Sequence, residues 1–205
     1  MNTFTKRGEI AGPAGVLSVA VDTSPDVPPR GIAVICHPHP LQGGTMDNKV
    51  VTTIARALNQ RGWRSVRFNY RGVGASQGTW DEGRGETEDA LAVIAAHRQP
   101  GEALLLGGFS FGGFIAANAA AKLPEGQQAQ RLVLVAPATV NFDVPPVPAD
   151  TLLIHGESDD VVPLSASMDW ARPQSLPVVV VPGAGHFFHG QLMLLKSLVH
   201  RNFAD

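Results

Sequence analysis

Seven short apolar runs, spaced by segments of helical periodicity, most constrain what this chain can fold into. They cover residues 16–21, 31–36, 63–69, 103–106, 132–135, 151–154 and 178–181. Runs such as Ile32-Ala33-Val34-Ile35-Cys36 are continuous rather than alternating, the pattern of strands covered on both faces. Between them, residues 47–60 place Val50, Ile54 and Leu58 four apart, with Asp47 or Asn48 able to cap the start and Gly62 able to end the helix. Further helices are predicted over 86–97, with Leu91, Ile94 and Ala95 inward, and over 111–123, 165–172 and 191–202. An early strand over 16–21 can pair with residues 3–10. Strand–helix alternation predicts a three-layer α/β/α architecture around a mostly parallel, twisted sheet. Residues 178–181 are read as a core strand, so the chain is expected to form one domain over 1–205.

Composition narrows the function classes. The 205 residues carry 16 Lys and Arg against 18 Asp and Glu, a net charge of −2. Nucleic acid as a main partner needs a cationic surplus that is missing here. Cys36 is the lone cysteine, which rules out an internal disulfide and a thiolate-rich zinc site. No stretch approaches the apolar length of a membrane helix, and residues 1–12 lack a signal-peptide core; the expectation is a soluble, cytoplasmic protein without a membrane partner.

In open parallel sheets ligands gather at the carboxyl ends of the strands. After the run at 103–106 comes Gly108-Phe109-Ser110-Phe111-Gly112, a G-x-S-x-G segment leading into an alanine-rich helix. A serine on a tight strand-to-helix turn has a crowded backbone, which small residues two positions either side relieve, and the helix start offers free amides beside the hydroxyl. Gly74-Ala75-Ser76-Gln77-Gly78 repeats the pattern, but no helix opens behind it, so Ser76 is read as a turn serine. A serine needs a base, and the base a carboxylate. His155-Gly156-Glu157-Ser158-Asp159-Asp160-Val161-Val162-Pro163 follows the run at 151–154. Gly183-Ala184-Gly185-His186-Phe187-Phe188-His189 follows the run at 178–181. Gly72-Val73-Gly74 lacks the third glycine of a dinucleotide loop, and no paired-histidine helix for zinc occurs.

With the His37-Pro38-His39-Pro40 turn, Gly43-Gly44, and Asn69-Tyr70-Arg71-Gly72-Val73-Gly74-Ala75-Ser76, these segments resemble the α/β-hydrolase superfamily, in particular its small lidless members near dienelactone hydrolases and bacterial carboxylesterases. The resemblance runs from His37 to His189. It implies the α/β-hydrolase fold, Ser110 as nucleophile, His186 as base and Asp159 as the carboxylate. Asp160 is the alternative acid, otherwise expected to cap a turn; Asp143 is a third and His189 the alternative base. Phe111 N–H is expected to form half of the oxyanion hole. Pro38 and Pro40 have no N–H, leaving His39 or Leu41 for the other half, with His39 preferred; the His37 side chain is expected to buttress this turn. The short, proline-bearing segment before residue 151 leaves no room for a cap. An open pocket lined by Phe109, Phe111, Phe187, Leu41 and Trp80 is therefore expected, taking a small-molecule or bulky acyl ester without cofactor or metal. Acyl transfer, peptide hydrolysis and a silent binding protein remain the alternatives.

Overall fold

The computed structural model describes residues 4–203. Strands β1 (Phe4–Gly12) and β2 (Gly15–Thr23) form an antiparallel hairpin, with Gly8 opposite Val19; Thr3, where the expected first strand begins, lies outside the described residues. Then follow β3 (Gly31–Cys36), α1 (Lys49–Asn59), β4 (Trp63–Phe68), α2 (Arg84–His97), β5 (Leu104–Phe109), α3 (Phe111–Lys122), β6 (Arg131–Val135), β7 (Leu152–Gly156), α4 (Leu164–Ala171), β8 (Val178–Val181) and α5 (Leu192–Asn202). Among the described residues eight strands lie in one sheet, in the order β1-β2-β4-β3-β5-β6-β7-β8. The six from β4 to β8 in that order are parallel, and β2 joins β4 antiparallel.

The all-apolar strands bury both faces, so the sheet separates two cores. On one side, Val34, Phe68, Leu106 and Leu134 meet Val93 of α2 and Ile115, Ala116 and Ala119 of α3. On the other, Ile35, Leu105 and Val133 meet Val50, Ile54 and Leu58 of α1 and Leu195 and Val199 of α5. Asn48 caps α1, its side-chain oxygen accepting from Val50 and Val51 N–H. Among the described residues no helix is long and apolar enough to cross a membrane. No helix or strand separates β6 from β7, so no cap covers the carboxyl end of the sheet.

Two sequence expectations need correction. Residues 178–181 form the edge strand, paired only with β7, and Val180 stays 38% exposed; an unbroken valine run does not distinguish an edge from a centre. In α2, Ala95 is exposed, while Ala90 and Val93 join Ile94 in the core. The helix starts earlier than expected: buried Glu86 accepts from Gly83 and Asp81 N–H, and so caps a turn that begins at Arg84.

Candidate active site

The elbow between β5 and α3 is set by backbone crowding. Ser110 has φ 56° and ψ −121°, a conformation that glycine adopts readily and other residues rarely. A Cβ on Gly108 would stand 2.0 Å from Gly112 O, and one on Gly112 would stand 2.1 Å from Cys36 O. The glycines therefore let α3 start hard against the ends of β5 and β3. The turn is pinned by Ser110 N–H donating to Val135 O (3.0 Å) and by Ser110 O accepting from Gly113 and Ala138 N–H.

The hydroxyl so presented ends a hydrogen-bonded chain. Ser110 Oγ lies 3.0 Å from His186 Nε2, and His186 Nδ1 lies 2.7 Å from Asp159 Oδ2. The carboxylate can only accept, so Nδ1 carries the ring proton and Nε2 is free to accept from Ser110. All three residues are less than a tenth exposed. Asp159 uses its other oxygen, Oδ1, to accept from Val161 and Val162 N–H (2.9 and 2.8 Å). The turn-capping role expected of Asp160 therefore belongs to Asp159; Asp160, Asp143 and His189 are exposed. His155, fully buried, donates from Nε2 to Val162 O (2.8 Å) and stands 3.4 Å from Asp159 Oδ2. Burial opposes ionisation of Asp159, but hydrogen bonds from His155, His186 and Val162 N–H, with the His186 charge, outweigh it and hold the carboxyl well below the usual carboxylate range.

The His186 loop is tied down by a residue the sequence reading passed over. Phe188, at φ 50°, is fully buried in the α1–α5 core, and the exposed Phe187 stands beside it at the surface. Ser158 N–H donates to Ala184 O (2.9 Å) and Gly183 N–H to Glu157 Oε2 (2.8 Å), joining the carboxylate loop to the histidine loop.

The loop after β3 rests on buried polar contacts. His37 Nδ1 donates to Pro38 O (2.7 Å), its Nε2 accepts from Tyr70 N–H (3.2 Å), and Tyr70 O–H donates to His37 O (3.1 Å). Burial pushes the His37 pKa down to about 3, against the bond to Pro38 O. This is the buttress expected of His37. Gly44 curls the loop back, its N–H donating to His39 O (3.0 Å). Neither Phe111 nor His39 N–H makes a hydrogen bond among the described residues. A cleft of about 180 Å³ opens here, lined by Ser110, His186, Pro38, His39, Gln42, Gly43, Gly44, Asn48, Val161 and Phe187.

Several expected lining residues stand elsewhere. Phe109 is fully buried, its ring 4.8 Å from the His186 ring, so it backs the histidine instead of facing a ligand. Leu41 is 69% exposed and does not line the cleft, because the short 3-10 turn at Pro40–Gln42 directs it to solvent. The Phe111 ring is buried and does not line the cleft, and Trp80 packs on it and on His39 behind the cleft wall. Ser76 is buried, accepting from Ser18 N–H and donating to Asn69 O. Of the two expected cap residues, Asn48 and not Asp47 holds the start of α1, and Asn69, whose role the sequence does not announce, accepts from Met46 N–H. Among the described residues no group of three or more His, Cys, Asp or Glu is placed to hold a metal ion.

Comparison with known proteins bears on the family and the fold. Residues 27–149 match the serine aminopeptidase S33 family. The uncharacterized protein RP471 of Rickettsia prowazekii is 33% identical over 86% of this chain and 79% of its own length. The crystal structure of XC6422 from Xanthomonas campestris, described as an α/β serine hydrolase without lid, shares 38% identity with a TM-score of 0.88 over 98% of this chain and 94% of that one. An α/β serine hydrolase homologue from Coxiella burnetii shares 41% identity at the same TM-score, covering 97% of both chains. A loop order of serine, then carboxylate, then histidine on a parallel sheet without a cap is common to the geometry and the resemblance, and this chain belongs to the α/β serine hydrolases, within the serine aminopeptidase S33 family.

Proposed function

We propose that the protein hydrolyses carboxylic esters through an acyl-enzyme formed on Ser110. The observation that carries this reading is the Ser110–His186–Asp159 chain, with spacings of 3.0 and 2.7 Å, at the floor of an uncapped cleft. His186 Nε2 takes the hydroxyl proton as Oγ adds to the acyl carbonyl, then passes it to the departing alkoxide oxygen. Asp159 holds the ring with Nε2 facing Ser110 and stabilises its positive charge. Phe111 and His39 N–H, both without other partners among the described residues, receive the oxyanion, a contribution of about 3 kcal/mol per donor in such sites. Water activated by the same histidine then releases the acid and restores Ser110. No metal or cofactor enters these steps, and the substrate is a small-molecule or bulky ester that reaches the site directly from solvent.

The family match favours a second reading, release of amino-terminal residues from peptides. Such an enzyme must receive an α-ammonium group close to the scissile bond. Among the described residues lining the cleft there is no carboxylate side chain to do so, which supports the ester reading.

The test is labelling by a fluorophosphonate followed by peptide mapping, then turnover of p-nitrophenyl esters against aminoacyl p-nitroanilides. The expected result is one adduct, on Ser110, lost in His186→Ala, with ester turnover well above anilide turnover. Asp159→Asn should lower kcat by about 10⁴. Absence of any adduct, or an adduct on Ser76, would overturn the reading; anilide turnover exceeding ester turnover would establish the peptidase instead.

A further inference from the structure

The side chain of His39 has no part in the chemistry proposed for its backbone, yet it is packed with care. Its ring centroid lies 4.7 Å from Trp80, 5.2 Å from Phe111 and 6.2 Å from Phe142. Those rings also touch one another: Trp80 and Phe111 at 5.2 Å, Phe111 and Phe142 at 5.1 Å, and Phe142 stacked on Phe114 at 4.7 Å. Nδ1 of His39 is buried without a hydrogen-bond partner among the described residues. A polar atom buried without a partner is costly, so the imidazole sits in this slot through the space it fills and not through its polarity.

Sheet order says which part of a substrate would meet it. Ser110 follows β5; His39 follows β3, the neighbour on one side, and His186 follows β8, three strands away on the other. The leaving oxygen must approach His186 to be protonated, so the leaving group extends toward Val161 and Phe187, both exposed at the cleft mouth. The oxyanion turns to the Phe111 and His39 amides. The acyl substituent is left with the β3 side, where the wall is the His39 ring backed by Trp80 and Phe142.

We propose that the His39 imidazole is a specificity-determining plug that fills an aromatic acyl slot and confines the protein to esters of short acyl groups. The proposal rests on the ester-hydrolase reading above. Removing the ring would open a slot of aromatic size beside Ser110, walled by Trp80, Phe111 and Phe142, suited to an aryl or medium-chain acyl group. Trp80→Ala opens the same slot from behind and leaves the backbone at residue 39 unaltered.

The experiment compares kcat/KM for p-nitrophenyl acetate, butyrate, octanoate and benzoate in the parent, His39→Ala, His39→Phe and Trp80→Ala, each checked by thermal melting. The parent is expected to favour acetate and butyrate. The octanoate-to-acetate and benzoate-to-acetate ratios should rise at least about tenfold in His39→Ala, rise in Trp80→Ala, and change little in His39→Phe, which refills the slot. Ratios are read because any disturbance of the neighbouring amide scales all four esters together. Unchanged ratios in both alanine variants, or a parent that prefers octanoate, would overturn the proposal while leaving the hydrolase reading intact. If one alanine variant does not fold, the other decides. Failure of Ser110 to label and of every ester to turn over would remove the hydrolase reading and the plug with it.

Discussion

Ser110 offers a direct measurement of the strain that a nucleophile elbow stores. At φ 56° and ψ −121° a residue with a Cβ is held in a region that costs of the order of 1–3 kcal/mol. Ser110→Ala and Ser110→Gly both delete the 3.0 Å contact with His186 Nε2, so their difference isolates the backbone. Glycine relieves the strain but is more flexible in the unfolded chain, a loss of roughly 0.5–1 kcal/mol. The balance leaves Ser110→Gly more stable than Ser110→Ala by about 1 kcal/mol, a rise in Tm of about 2–4 °C for a chain of this length. Urea unfolding of the two variants, with equal slopes and separated midpoints, gives the quantity directly. Neither variant should react with a fluorophosphonate. Equal stability, or an alanine variant more stable than the glycine variant, would refute the claim that the elbow is strained in the folded protein.

Three further outcomes are expected. Burial lowers the His37 pKa from 6.5 to about 3, so below pH 6.5 the unfolded chain binds a proton that the folded chain refuses, and stability falls with falling pH; between pH 7.5 and 5.5 this residue alone removes on the order of 1 kcal/mol, and urea titrations of His37→Gln should show a pH dependence shallower by that amount. Burial also pushes the Cys36 thiol up to about 12, so iodoacetamide at pH 8 should leave the native protein unmodified and alkylate it promptly in guanidinium; prompt native labelling would show that β3 opens locally. Arg71 and Asp89 form a buried pair, with contacts of 2.8–3.2 Å and a further bond from Arg71 N–H to Asp89; Asp89→Leu should destabilise by about 3–5 kcal/mol in urea unfolding, and a loss under about 1 kcal/mol would place the pair with exposed ion pairs.

Much of the site was legible because its parts are local in sequence. Gly108 is required by a contact within one turn, while Gly112 and the alanines of α3 are required by the approach of one helix to the sheet, so periodicity and spacing locate the elbow. The same holds for the segments that follow β7 and β8, since strand ends can be read from apolar runs. The hydrophobic pattern also implies the layered fold, and the short, proline-bearing segment before residue 151 implies the absence of a cap. What hydrophobicity does not encode is direction. Phe109 and Phe187 are equivalent as letters, yet one is sealed under His186 and the other stands at the cleft mouth. Leu41 turns outward because of a 3-10 turn that begins at Pro40 and that no periodicity announces.

The sequence by itself determined the order of the chemistry-bearing loops, the place of Ser110 on a strand-to-helix turn and the strand–helix alternation, since each depends on neighbours a few residues apart. Only the tertiary structure decided that Asp159 and not Asp160 meets His186, that β8 is an edge, and that the rings of Trp80, Phe111 and Phe142 close around His39. Those outcomes depend on which side chains from distant strands meet at the carboxyl end of the sheet. That is set by sheet order and by the competition of many groups for the same volume, which no local pattern records.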